Sequence, residues 1–209
     1  MASPKTVLIF VNGILNFPGD SKNWNYRATV WTHLNTEARA NCVEYFCGPI
    51  GRAFGQRKRA EKITELLQAY AGWEIIMVMH SNGNAVGLLA LASELIYPHI
   101  QELHMVSAAC DADFDRNGLN EALEDGRIGS VSVYVNGKDR ALRLASCWFG
   151  RLLGYGVLGL HGPLKMSPLA RAKTKIFTAP PWVDWGHSDC FRPEHFDRTM
   201  KNFTAGLES

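Results

Sequence analysis

The stretch Trp73-Glu-Ile-Ile-Met-Val-Met-His-Ser-Asn-Gly-Asn84 joins a short apolar run to a serine and then to a long apolar segment. Residues 73–79 predict a buried strand. Residues 82–97, which are almost wholly apolar and stop before Pro98, predict a buried helix. A strand that leads at once into a helix is the repeating unit of α/β folds.

The same alternation runs along the whole chain. Further strands are predicted at residues 5–11, 42–47, 102–108, 130–135 and 175–179. Further helices are predicted at residues 23–40, 57–71, 119–126, 139–153 and 193–207. With 209 residues, the sequence predicts one domain (1–209): a doubly wound α/β fold with a mainly parallel six-stranded sheet and helices on both faces.

Composition narrows the class of protein. The formal net charge of +2 argues against a dedicated nucleic-acid binder, and every apolar stretch is too short to span a bilayer. The first apolar run is about five residues long and ends in Asn12-Gly13, unlike a secretory signal. The cysteines are odd in number and widely spread, without a CxxC pair, which argues against a disulfide framework or a zinc site. We therefore expect a cytoplasmic protein with mostly buried thiols.

Three polar residues follow strands that should end at the same edge of the sheet, where ligands bind in such folds. Ser81 follows the third strand, Asp139 the fifth and His187 the sixth. Each residue also has a purely structural explanation. Ser81 and Asp139 could serve as helix caps, and His187 could lie in a surface loop. Together they match a nucleophilic serine, a general acid/base and an orienting carboxylate.

The residues around Ser81 resemble the G-x-S-x-G turn that exposes a nucleophile between a strand and a helix. Gly83 supplies the second small residue, but Met79 stands where the first glycine is usual. An oxyanion hole would use the backbone N–H of Asn82 and a second N–H from the loop after the first strand, from Gly13 or Ile14.

The sequence at this point resembles the α/β-hydrolase superfamily over nearly its whole length. The resemblance rests on His80-Ser81-Asn82-Gly83, Asn136-Gly137-Lys138-Asp139, Gly186-His187-Ser188 and Asn12-Gly13. It implies hydrolysis of carboxylic esters, thioesters or amides through an acyl-enzyme, without a cofactor or metal. It also implies a minimal core, lacking the family's first two edge strands and a large cap.

Two other functions stay open on this resemblance. One is a non-catalytic binding protein with the same fold, in which Met79 marks a decayed turn. The other is an acyltransferase or amidase that uses the same three side chains. The partner in each catalytic case is a small acyl compound, and the sequence does not predict the oligomeric state.

The segment Asp111–Gly118 offers a rival acid and a possible calcium loop. Asp111 follows the fourth strand, so it could replace Asp139 as the orienting carboxylate. A calcium loop of the EF-hand type needs glycine and glutamate at its sixth and twelfth positions, which here are Arg116 and Ala122. We therefore expect no metal, and Asp139 as the acid.

Three side chains and one apolar stretch are expected around the site. His80 should line it beside the serine, and Trp182 and Trp185 should either form an aromatic wall for the substrate or pack down their loop. The apolar, glycine-rich stretch Trp148–Met166 is either a mobile flap over the acyl chain or a buried connection.

Overall fold

A computed structural model describes residues 5–14, 23–43, 51–92, 99–147, 156–178 and 186–207, with the backbone alone at residues 51–54. The described residues form strands β1 (Thr6–Val11), β2 (Arg39–Val43), β3 (Glu74–His80), β4 (Ile100–Val106), β5 (Ile128–Val135) and β6 (Thr174–Thr178). Their α-helices are α1 (Trp24–Asn35), α2 (Gly51–Ala69), α3 (Asn82–Leu91), α4 (Leu119–Glu124), α5 (Arg140–Ala145), α6 (Leu158–His161), α7 (Pro168–Lys173) and α8 (Pro193–Thr204).

The six strands form one sheet in the order β2-β1-β3-β4-β5-β6, and every neighbouring pair is parallel. The predicted six-stranded α/β fold is therefore confirmed. The chain proceeds from β1 to β2 on one side and then crosses to β3 on the other. This reversal creates a crevice at the carboxyl ends of β1 and β3, the place where doubly wound sheets bind ligands.

The core lies on both faces of the sheet. Ile9 of β1 packs in one fully buried cluster with Leu67 of α2. Its neighbour Phe10 points to the opposite face, where it packs with Trp24 of α1 and Phe203 of α8. The continuous apolar runs of these strands follow from burial on both faces.

The second strand begins three residues earlier than predicted, and residues 44–47 of the predicted strand lie outside the described part. Helix α1 ends at Asn35, because Thr36 is already extended, and Arg39–Val43 then pair with Val7–Val11 of β1. The predicted strand at 42–47 and the predicted helix at 23–40 were therefore wrong at this junction. Leu34, in the last turn of α1, is 78% exposed. Pairing with β1, a contact distant in sequence, decides this boundary.

Helix α2 begins at Gly51, six residues before the predicted start. The basic run Arg57–Arg59 would oppose the helix dipole if it opened the helix. It lies instead beyond the first turn, where the effect of the dipole has faded.

The described part of the Trp148–Met166 stretch is buried at residues 158–160 and exposed around Leu164. Leu158 is fully buried, and the Gly159 N–H donates to the Ala108 carbonyl at 2.9 Å. A Cβ on Gly159 would lie 2.3 Å from the Ala108 nitrogen, so only glycine permits this approach. Residues 156–166 are thus anchored to the loop after β4, which does not agree with a mobile flap; residues 148–155 lie outside the described part.

The space between β4 and β5 is occupied by residues 107–127, which contain the short helix α4 and no inserted cap domain. In the part of the chain that the structure describes, no helix is long and apolar enough to cross a membrane. The thiols described there are not joined in disulfides: Cys42, Cys110, Cys147 and Cys190.

Candidate active site

Ser81 occupies a sharp turn between β3 and α3. Its backbone has φ 54° and ψ −124°, a conformation that costs a non-glycine residue on the order of 1–3 kcal/mol. Two neighbours hold it there: the Ser81 N–H donates to the Val106 carbonyl at 3.0 Å, and the Ser81 carbonyl accepts from the Ala109 N–H at 3.1 Å. Strain of this kind is typical of functional sites and lifts the hydroxyl above the sheet edge.

The turn is possible because Gly83 packs directly against β1. A Cβ at Gly83 would lie 2.5 Å from the Asn12 carbonyl oxygen and 2.7 Å from that of Val11. Asn84 is fully buried, and its amide donates to the carbonyls of Met79 and Ser81 at 3.2 and 3.0 Å. This side chain therefore ties the turn together where a small residue is usual.

Met79, in place of the first glycine of the motif, is accommodated by a glycine elsewhere. Its side chain is fully buried and lies over Gly87 of α3, where an added Cβ would be 2.1 Å from the Met79 sulfur. The space that a small residue would leave on the strand is filled by methionine, and the helix makes room for it. The motif therefore departs from glycine at this position without displacing Ser81.

Because of this packing, we expect Gly87→Ala to lower the free energy of unfolding by about 1–3 kcal/mol, although alanine favours helix more than glycine does. Met79→Ala alone should cost about 2–5 kcal/mol. The double variant should lose clearly less than the sum, because the new methyl group enters the vacated volume.

Urea unfolding of the four proteins measures this coupling. Gly55→Ala is the matched control, because the nearest atoms there belong to the flexible Arg59 side chain. A Gly87→Ala protein as stable as the parent would contradict the proposed packing.

The structure brings Ser81, His187 and Asp139 into one hydrogen-bonded chain. The Ser81 Oγ lies 2.7 Å from His187 Nε2, and His187 Nδ1 lies 2.8 Å from Asp139 Oδ2. Both alternatives considered for Asp139 are present at once, because its Oδ1 also caps α5 by accepting the Leu142 N–H at 3.0 Å. The two contacts use different carboxylate oxygens, Oδ1 for the cap and Oδ2 for His187.

The carboxyl of Asp139 is held ionised. Its side chain is fully buried, which by itself would raise its pKa. The hydrogen bond from His187, the charge of that ring when protonated and the Leu142 N–H act in the opposite direction and leave the pKa below its usual value. An ionised carboxylate at this position holds the imidazole with its proton on Nδ1 and a free lone pair on Nε2.

The backbone of His187 is fixed by two donors at once. Its carbonyl oxygen accepts from His80 Nε2 and from the Ser107 hydroxyl, each at 3.0 Å. Burial, with the nearby His187, lowers the pKa of His80 to about 3, so its ring is neutral. His80, expected to line the site, therefore also positions the loop that carries His187.

Ser107 was missed in the sequence because the fourth strand was predicted to continue to Ala108. The strand ends at Val106, and Ser107 has φ 44°. Its place immediately after a strand was the signal that could have identified it.

The turn after β1 closes against Ser81. A Cβ on Gly13 would lie 2.8 Å from the Cβ and 3.2 Å from the Oγ of Ser81, so the Gly13 backbone is immediately beside the hydroxyl. The Asn82 N–H opens α3, and the first N–H groups of a helix have no partner within it. Ile14 lines the adjoining cavity. Of the three expected oxyanion residues, Gly13 and Asn82 thus adjoin Ser81, and Ile14 lines the same cavity.

A cavity of about 530 Å³ opens beside Ser81 and His187. Part of its wall is aromatic, with Trp24 stacked on Phe191 at a centroid distance of 4.1 Å, and His80 contacts both rings. Trp182 and Trp185, expected as an aromatic wall, lie outside the described residues. Another part of the wall consists of small and aliphatic side chains of α5: Ala141, Leu142 and Ala145.

The rival acid Asp111 faces away from this chain of hydrogen bonds. Its Oδ1 accepts from the Asp113 N–H at 3.0 Å and from Arg116 at 3.2 Å. Asp113 in turn pairs with Lys165 at 2.8 Å, which lowers its pKa. Cations of the chain therefore neutralise this acidic turn, and among the described residues no group of three metal-ligating side chains converges.

Comparisons with known proteins agree with this fold. No protein-family model matches the sequence, and a search of curated proteins gives no match. Among solved structures, the chain is similar to a provisionally assigned hydrolase from Agrobacterium vitis S4 (TM-score 0.58, 14% identity, 96% of this chain and 87% of that chain). It is also similar to a CIB-like hydrolase, assigned by prediction, from Thermoplasma acidophilum (TM-score 0.53, 14% identity, 99% and 89%). A third similar structure is MenH from S. aureus (TM-score 0.53, 12% identity, 100% and 96%).

These similarities show the fold: the protein has an α/β-hydrolase fold. Proteins that share a fold at such low identity can differ in function, so the chemistry depends on the residues of the site.

Proposed function

We propose that the protein is a serine hydrolase that cleaves carboxylic esters or thioesters through an acyl-enzyme. The observation that carries this proposal is the chain of hydrogen bonds from Ser81 Oγ to His187 Nε2 at 2.7 Å and from His187 Nδ1 to Asp139 Oδ2 at 2.8 Å. It lies at the mouth of a cavity large enough for a small substrate.

In this mechanism His187 Nε2 takes the proton of the Ser81 hydroxyl as Oγ attacks the carbonyl carbon of the substrate. Asp139 stabilises the imidazolium that forms. The negative oxygen of the tetrahedral intermediate is bound by the N–H of Asn82 and by that of Gly13 or Ile14. His187 then gives its proton to the leaving alcohol or thiol, and the acyl group stays on Ser81.

A water molecule then hydrolyses the acyl-enzyme with the help of the same imidazole. His187 removes a proton from a water molecule, which attacks the acyl carbonyl, and the same imidazole returns the proton to Ser81 Oγ. An alcohol or amine in place of water would make the protein an acyltransferase with the same side chains.

A fluorophosphonate probe tests the proposal directly. We expect the folded protein to be labelled at Ser81, with the adduct located by mass spectrometry of peptides, and to hydrolyse p-nitrophenyl esters. Denatured protein is the control, because its serine has no base. Folded protein that is neither labelled nor active on esters and thioesters would favour a non-catalytic binding protein. Product ratios with added alcohol or amine distinguish transfer from hydrolysis.

A further inference from the structure

The cavity beside Ser81 carries positive charge that has no counterpart in its walls. Arg27 of α1 and Arg192, at the start of α8, both line it. Among the described residues that line it, none is acidic. The excess is local, because the chain as a whole is nearly balanced in charge.

Arg27 is held in place without an acidic partner. Its Nη1–H donates to the Phe191 carbonyl at 3.2 Å, and its guanidinium lies 4.2 Å from the ring centroid of Phe196. The side chain is half-buried, and within the described ranges no carboxylate pairs with it. A guanidinium partly removed from water and left without a counter-charge is costly, unless a ligand supplies that charge.

Arg192 differs from Arg27 because it has an acidic partner and a more exposed side chain. Its Nε lies 2.8 Å from Asp189 Oδ1, and its side chain is 61% exposed. Its charge is thus largely compensated, and solvent screens what is left. Arg27 is the stronger candidate for contact with a ligand.

We infer that the substrate carries an anionic oxygen group, a carboxylate or a phosphate, which Arg27 binds in the same cavity that presents Ser81. The planar fork of guanidinium N–H donors matches such oxyanions. Stacking on Phe196 and the bond to Phe191 hold the fork in one orientation, so little side-chain freedom is lost on binding. As a statement about a substrate, this inference rests on the proposed hydrolase function.

The experiment compares two p-nitrophenyl esters of equal acyl length: the pentanoate, which is neutral, and the glutarate monoester, which ends in a carboxylate. We expect the parent protein to have the higher kcat/KM for the glutarate monoester. In Arg27→Met the ratio of the two kcat/KM values should fall about tenfold or more, and Arg27→Lys should retain part of it. Arg57→Met, at a 93% exposed side chain of α2, is the matched control and should keep the parent ratio.

Binding is also measured without turnover, on the Ser81→Ala background. We expect glutarate or inorganic phosphate to raise the melting temperature of that protein and not of the variant that also carries Arg27→Met. The better of the two anions identifies the type of oxyanion. An unchanged ratio in Arg27→Met, or equal thermal shifts with and without Arg27, would overturn the inference. If anions bind through Arg27 but no ester is cleaved, the hydrolase proposal fails and the anion site stands.

Discussion

The Ser81→Ala protein is expected to hydrolyse p-nitrophenyl esters about 10⁴-fold more slowly than the parent, or slower still. The substitution removes the attacking oxygen and leaves His187 with nothing to deprotonate except water. What activity persists comes from the oxyanion donors and from substrate binding, which still exceed the reaction in water. Initial rates at saturating ester, together with loss of fluorophosphonate labelling, measure the effect.

The loss of rate can be attributed to the missing hydroxyl only if the Ser81→Ala protein is folded. Within the described residues the Ser81 hydroxyl bonds only to His187, so its removal should leave the melting temperature within a few degrees of the parent value. Ser146→Ala, which removes a hydroxyl that donates to the Arg143 carbonyl, is the matched control and should retain full activity. A Ser81→Ala protein that keeps more than about a tenth of the rate would refute a serine nucleophile.

We also expect Asp139→Asn to lower kcat by about 10⁴-fold. The capping bond decides how the new amide is oriented: its oxygen must face the Leu142 N–H, which now bonds Oδ1 at 3.0 Å. The amide N–H₂ group then points at His187 Nδ1 and donates to it. That contact places the imidazole proton on Nε2, where it blocks acceptance of the Ser81 proton.

Asp139→Asn therefore separates the tautomer of His187 from the fold, because the cap of α5 is retained. Stability should change little, and the loss should appear in kcat much more than in KM. Asp111→Asn is the control for the rival acid, since that side chain contacts Asp113 and Arg116 and not His187. Equal losses of kcat in the two variants would remove Asp139 from the proposed mechanism.

The fold and the proximity of Ser81, Asp139 and His187 could be predicted because both depend on order along the chain. Parallel strands bring their carboxyl ends to one edge, so residues that directly follow different strands come together whatever the intervening sequence. Ser81, Asp139 and His187 are of this kind. Boundaries set by distant pairing, such as the start of β2 at Arg39, could not be predicted from local pattern.

The residues that the sequence did not indicate act through contacts with other elements. Ser107 matters because its hydroxyl reaches a carbonyl 80 residues away, and Arg27 because α1 packs beside the segment that carries Phe191. From the sequence of its own helix, Arg27 is a basic side chain with no indication of a ligand. Only the tertiary arrangement shows that its charge faces a cavity and has no acidic partner among the described residues.

The exchange of size between Met79 and Gly87 has a consequence for finding further proteins of this kind. The usual nucleophile signature asks for a glycine two residues before the serine, and such a search passes over this chain. Here the small residue stands six positions after the serine, across the strand–helix contact. A search pattern could accept a bulky residue two positions before the serine, provided that glycine stands six positions after it. Such a pattern would recover sequences that the five-residue motif discards.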